Sequence, residues 1–116
     1  MAEREMKPRS PHDRHAGDWI TRLEPSVLEQ ALASVGTPAY VYSADVLRAR
    51  AQALRAAFPR AGVRYAMKAN ANPTLLALLR AEGLGVDTVS PFEVRLAREL
   101  GFLKRDIVYS GNNPSE

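Results

Sequence analysis

From residue 24 onward the apolar positions follow two alternating rhythms. In "EPSVLEQALASVG" Leu28, Ala31, Leu32 and Val35 recur at helical spacing behind Pro25 and a Ser26/Glu29 capping-box spacing, and Gly36 supplies a stop. One short amphipathic helix is predicted there. "PAYVY" then reads as a strand. Ser43 is placed to cap a helix running to Phe58, whose Leu47, Ala51, Leu54 and Phe58 share a face, and Pro59 ends it.

Beyond Pro59 one unit recurs. Strand-like "VRYAM" leads through Asn72-Pro73 into "TLLALLRAEG", "GVDTV" leads through Ser90-Pro91 into "FEVRLARELG", and "DIVYS" leads to Asn113-Pro114. Each helix start pairs a capping residue with proline at the first helical position, and the two complete helices stop at Gly83 and Gly101. The strand starts, Val63, Val86 and Ile107, are 23 and 21 residues apart. This is βαβ spacing, which builds a parallel sheet with right-handed crossovers. Asn113, Pro114 and Glu116 repeat the cap, proline and acid of Ser90, Pro91 and Glu93, so the pattern predicts the N-terminal part of a longer protein. A closed eight-stranded barrel typically needs about 250 residues.

Composition narrows the function classes. The formal charge of +3 and pI near 9.6 come from arginines scattered at helical spacing among glutamates and leucines, which reads as solvated helix faces and not as a nucleic-acid stripe. With no cysteine, these 116 residues hold no disulfide framework and no thiolate site. No membrane span or secretory signal is legible, so a cytoplasmic protein with no membrane partner is expected. Residues 1–18 carry both charge signs and two prolines without apolar periodicity, the composition of a mobile tail. Its His12 and His15 lack a third ligand and read as exposed histidines. Residues 19–58 then form the N-terminal helix, strand and helix, and residues 59–116 the repeated units.

Of the 16 basic residues 13 are arginine, and two of the three lysines, Lys7 and Lys104, fall in the tail and in a turn. The third, Lys68, ends an apolar run. Lysine can lose its proton and act as an amine nucleophile, whereas arginine stays a cation. Ligands of parallel α/β folds lie beyond the carboxyl ends of the strands. Strand alternation groups Arg64, Ala66 and Lys68 on one face and the apolar Val63, Tyr65 and Met67 under the helices, with small Ala66 leaving room for a ring. Spacing alone leaves two readings open, an imine-forming amine and a strand-end lysine reaching solvent. Asp87, on the Gly85, Asp87, Val89 face of the next strand, either pairs with the lysine or ends its strand in a polar loop. Ser90 and Glu93 are accounted for by a capping box. No G-x-G-x-x-G follows a strand and no P-loop is present, so a dinucleotide site is unsupported.

The run from Thr37 to Glu116 contains, in order, "TPAYVYSADVLRARAQALRAAFP", a Y-A-x-K-A-N motif at 65–70, a D-x-V-S-x-x-E segment at 87–93 and a G-N-N turn at 111–113. This combination resembles the N-terminal part of diaminopimelate decarboxylases, in the alanine-racemase-like barrel class of pyridoxal-phosphate enzymes (fold type III). The resemblance implies an α/β fold, the N-terminal part of a (β/α)8 barrel, in which residues 59–116 supply the first three strands. The segment Ala39–Tyr42 would be a leading strand that joins a C-terminal β-domain. It further implies that Lys68 carries pyridoxal 5'-phosphate as a Schiff base, with Asp87 near lysine and cofactor and Glu93 further along the site. Pro91-Phe92 and Pro114 depart from the glycine pair and the lysine of many relatives, but at helix starts that accept proline.

The implied reaction is decarboxylation of meso-diaminopimelate to lysine by a homodimer, with the phosphate cradle, ring-nitrogen partner and cysteine loop supplied downstream. The alternatives are an ornithine, arginine or carboxynorspermidine decarboxylase, a non-catalytic pyridoxal-phosphate carrier, and a cofactor-free imine-forming aldolase. The "PAYVY" strand argues against the carrier. The K-A-N and D-x-V-S-x-x-E segments argue against the aldolase.

Overall fold

The computed structural model describes residues 23–112. The predicted tail, His12, His15 and the Asn113-Pro114 helix start lie outside the described residues. The chain divides into two units at the Ser43/Ala44 junction.

In the first unit α1 spans Pro25–Val35, with Glu24 at the N-cap and Pro25 at the first helical position. The expected Ser26/Glu29 capping box does not form. Proline's fixed φ and missing N–H suit the first helical position, so the helix begins at Pro25 and Ser26 falls inside it. Gly36 ends α1 with φ 77° and its N–H donates to the Leu32 carbonyl at 2.7 Å. The segment Ala39–Tyr42 is not a strand, contrary to its sequence pattern. A strand exists only as part of a ladder, and the sheet of the described residues consists of three other segments. Tyr40 is 91% exposed.

The second unit contains α2 (Ala44–Ala57), β1 (Arg64–Ala66), α3 (Pro73–Ala81), β2 (Gly85–Thr88), α4 (Pro91–Glu99) and β3 (Ile107–Tyr109). Single 3₁₀ turns at Met67–Ala69 and Lys104–Asp106 complete it. The strands form one parallel sheet in the order β1-β2-β3, with Ala66 opposite Asp87 and Asp87 opposite Val108. The predicted α/β pattern with a parallel sheet is therefore realised.

Local capping sets the helix limits. The Asn72 side chain accepts from the Thr74 and Leu75 N–H groups at the start of α3, and Gly83 and Gly101 adopt φ of 78° and 83° past the two helix ends. At each end two backbone bonds close a Schellman motif: Leu84 N–H to Leu79 O with Gly83 N–H to Arg80 O, and Phe102 N–H to Ala97 O with Gly101 N–H to Arg98 O. The residues bracketing each motif, Leu79 with Leu84 and Ala97 with Phe102, are buried, so each stop signal also closes the core.

Met67, Leu75, Leu76, Leu79, Leu84, Val86, Ala97 and Phe102 form that core together with Ala51 of α2, and Val63, Tyr65 and Ile107 pack against it. One face of the sheet thus lies under the helices, as alternation predicts. On that face buried Thr88 donates its hydroxyl to the Val108 carbonyl at 2.8 Å, tying β2 to β3. In α2 only half of the expected stripe is covered: Ala51 is buried and Leu47 packs on the core, while Leu54 and Phe58 are 46% and 56% exposed. Glu82 at the end of α3 holds α2 instead through polar contacts, receiving Gln52 Nε2 on its carboxylate and Arg55 Nη1 on its carbonyl, both at 2.9 Å.

Candidate active site

The carboxyl end of β1 bends into the Met67–Ala69 turn, so Lys68 occupies the middle of a 3₁₀ turn and not the strand position that simple alternation gave it. The turn is fixed from below by Met67, whose side chain is fully buried. Lys68 is exposed, and its turn packs against β2.

Three polar side chains surround the turn's exit. The Tyr65 hydroxyl donates to the Asn70 carbonyl at 3.3 Å. The Asn70 side-chain oxygen accepts the Asn72 N–H at 2.9 Å, and the Asn72 side-chain oxygen accepts Thr74 N–H at 2.9 Å and Leu75 N–H at 3.3 Å. Sequence reading gave Asn72 its cap but left Tyr65 and Asn70 without a polar role. The clue was the N-x-N-P spacing, since Asn two residues before an N–H is the signature of an Asx turn.

Asp87 lies opposite Ala66 in the sheet register, and paired residues of parallel strands share a face. Because Tyr65 and Val86 face the helices, Ala66 and Asp87 face the other way. The Oδ1 atom of Asp87 is buried and has no hydrogen-bond partner, the one such side-chain atom among the described residues. Buried polar groups are ordinarily satisfied, which sets this oxygen apart. Lys68 and Asp87 therefore stand at or just past the carboxyl ends of adjacent strands.

Glu93 is differently engaged. Its Oε2 accepts the Val89 N–H at 2.7 Å while the Ser90 hydroxyl accepts the Glu93 N–H at 3.2 Å. This is a capping box shifted by one residue, with the carboxylate on the N–H that precedes the cap. One oxygen of Glu93 is committed to holding the start of α4.

A cavity of about 720 Å³ lies elsewhere, lined by Val94, Arg98, Phe102, Leu103, Ile107 and Tyr109 among others. Ile107 and Tyr109 belong to the helix-side face of β3, in register with Val86 and Thr88. The hollow is thus a groove between α4 and the open edge of β3. None of Lys68, Asp87 and Glu93 lines it.

The residues at the strand ends fit a pyridoxal group. An exposed lysine supplies an amine for an aldehyde, Ala66 leaves the floor low, and the unpaired Asp87 oxygen waits for a donor.

Comparison with known proteins gives the family. Residues 44–116 match the family described as "Pyridoxal-dependent decarboxylase, pyridoxal binding domain", a span that begins where the second unit begins. A diaminopimelate decarboxylase of Aquifex aeolicus is 43% identical over 94 residues, covering 81% of this chain and 22% of the relative. That of Archaeoglobus fulgidus is 35% identical over 98 residues, covering 84% and 23%. A lysine/ornithine decarboxylase of Selenomonas ruminantium is 36% identical over 89 residues, covering 77% and 23%. A crystal structure of an Aquifex aeolicus protein aligns with a TM-score of 0.71 at 43% identity, over 76% of this chain and 22% of that one. The chain therefore spans about 22% of the length of this Aquifex aeolicus relative. By the family match over its whole second unit, the chain belongs to the pyridoxal-dependent decarboxylases.

Proposed function

We propose that this chain anchors pyridoxal phosphate in an amino-acid decarboxylase that converts meso-diaminopimelate to lysine, with Lys68 bonding the cofactor and Asp87 facing it. The observation that carries the reading is the buried, unpaired Asp87 Oδ1 one strand away from the Lys68 turn. In the longer protein the three parallel strands would open a (β/α)8 barrel, and Ala39–Tyr42 would gain its ladder from a β-domain. A homodimer is part of the same reading.

When bound, pyridoxal phosphate supplies an electron sink for the pair left behind as the carboxylate departs. Lys68 would be the residue that holds this group, through its Nζ amine. Asp87 Oδ1 accepts a hydrogen bond from a cationic or N–H donor at the site, which satisfies the orphan and orients its partner. Buried Met67 anchors the backbone beside Lys68. Glu93 holds the start of α4 through the Val89 N–H.

A second substrate reading, ornithine, draws on the similarity to the Selenomonas ruminantium lysine/ornithine decarboxylase. Carbon dioxide release by the full-length holoenzyme from diaminopimelate, ornithine and arginine separates the two. The main reading expects turnover of diaminopimelate foremost and none after Lys68→Ala. Preference for ornithine would transfer the protein to the second reading, and undiminished turnover in the Lys68→Ala variant would overturn the site.

A further inference from the structure

The turn that carries Lys68 has little reason to be rigid by itself. A single 3₁₀ turn has poor hydrogen-bond geometry, and its three residues are Met67, Lys68 and Ala69, none of which caps it. No side-chain cap bond is made at its N-terminal residue Ala66, and it exits at Asn70 in an extended conformation with φ −166° and ψ 114°. Yet a lysine that must meet a cofactor carbon needs a fixed backbone, since its own side chain has four rotatable bonds.

Outside the turn, a continuous chain of bonds supplies that fixity. Tyr65, on the helix-side face of β1 and packed against the core, sends its hydroxyl past the turn to the Asn70 carbonyl at 3.3 Å. Asn70 in turn takes the Asn72 N–H on its side-chain oxygen at 2.9 Å, and Asn72 caps α3. The turn is therefore held at its entry by buried Met67 and at its exit by a relay running from β1 to the first turn of α3. Asp87 is on the opposite face of the sheet from Tyr65, so the relay braces the turn from behind and leaves the ligand side clear.

We infer that Tyr65 and Asn70 are positioning residues for Lys68, holding its turn in the place from which the amine reaches the cofactor. The inference rests on the proposed role of Lys68 and deepens it. Removing the Tyr65 hydroxyl leaves the ring and its packing in place. The loss should therefore fall on the geometry of the bound cofactor and not on the fold.

The test uses the full-length holoenzyme with Tyr65→Phe, Asn70→Ala and Asn70→Ser. Serine restores a short uncharged oxygen acceptor two residues before the Asn72 N–H. At full cofactor saturation the visible circular dichroism per bound cofactor reports how firmly the chromophore is oriented, and transfer to a trapping apoprotein reports its release rate. Tyr65→Phe and Asn70→Ala should weaken the dichroism, speed release and lower kcat by about tenfold with KM within about twofold, the scale of sub-ångström misplacement. Asn70→Ser should recover most of both signals, and melting of the cofactor-free proteins should be unchanged.

Borohydride trapping with peptide mapping accompanies each variant. Labelling of wild type away from Lys68 overturns the reading beneath the inference and the inference with it. Labelling at Lys68 with unaltered dichroism and release in Tyr65→Phe and Asn70→Ala overturns the inference alone. A parallel fall in cofactor-free melting, without recovery in Asn70→Ser, would make the relay structural and overturn it equally.

Discussion

Asp87 holds an oxygen that is out of water and out of hydrogen bonds. Such an atom lowers stability, because desolvation is not offset by a partner. Replacing Asp87 by alanine in the full-length protein should therefore leave the melting temperature of the cofactor-free form unchanged or raised. Turnover should fall by about 10²-fold or more, the scale of losing one preorganised electrostatic contact. Melting and carbon dioxide release, measured side by side, check this; a matched loss of both would make Asp87 a structural residue. At this scale the places of Lys68 and Asp87 by the ends of β1 and β2 were legible from the strand pattern. The Tyr65 to Asn70 bond was not legible. It exists only because the chain leaves the strand at Met67, and alternation carried on through that point puts Lys68 in the wrong local geometry.

The elements that were read correctly are those whose limits are written within a few residues of them. Asn72-Pro73, Ser90-Pro91, Gly83 and Gly101 act locally and set α3 and α4 as expected. Asn72→Ala removes the acceptor for two helix N–H groups and should cost about 1 kcal/mol in denaturant melts. Gly85 presents a different constraint. An added Cβ there would run into the Asp106 backbone carbonyl and come within 3.2 Å of Arg64 Cγ, so the neighbouring backbone must shift. Gly85→Ala should cost about 1–3 kcal/mol, more than the lost cap. A smaller loss than that of Asn72→Ala would show that the sheet yields easily there. What the sequence hid was non-local: "PAYVY" has strand composition, but a ladder requires a partner from another part of the chain. Ser26 failed as a cap for a local reason, Pro25 having taken the first helical position.

Among the described residues the three-stranded sheet has unpaired edges at β1 and β3, a groove beside β3, and Leu54 and Phe58 exposed on α2. Open strand edges and uncovered apolar positions favour association. Residues 1–116 expressed alone should therefore self-associate or melt without a sharp transition, and release no carbon dioxide from diaminopimelate when pyridoxal phosphate is added. Sedimentation, thermal melting and gas release would check this, and turnover by a cooperatively folding monomer would contradict it. The parallel α/β class was readable from the 23- and 21-residue spacing of Val63, Val86 and Ile107. The groove was not, because it depends on how far α4 leaves β3 uncovered. The central claim is that the turn after β1 carries the cofactor, and reductive trapping tests it most directly. The full-length holoenzyme is reduced with borohydride, digested and mapped. The pyridoxyl group is expected on the peptide bearing Lys68, and its appearance on Lys104 or another lysine instead would sink the assignment.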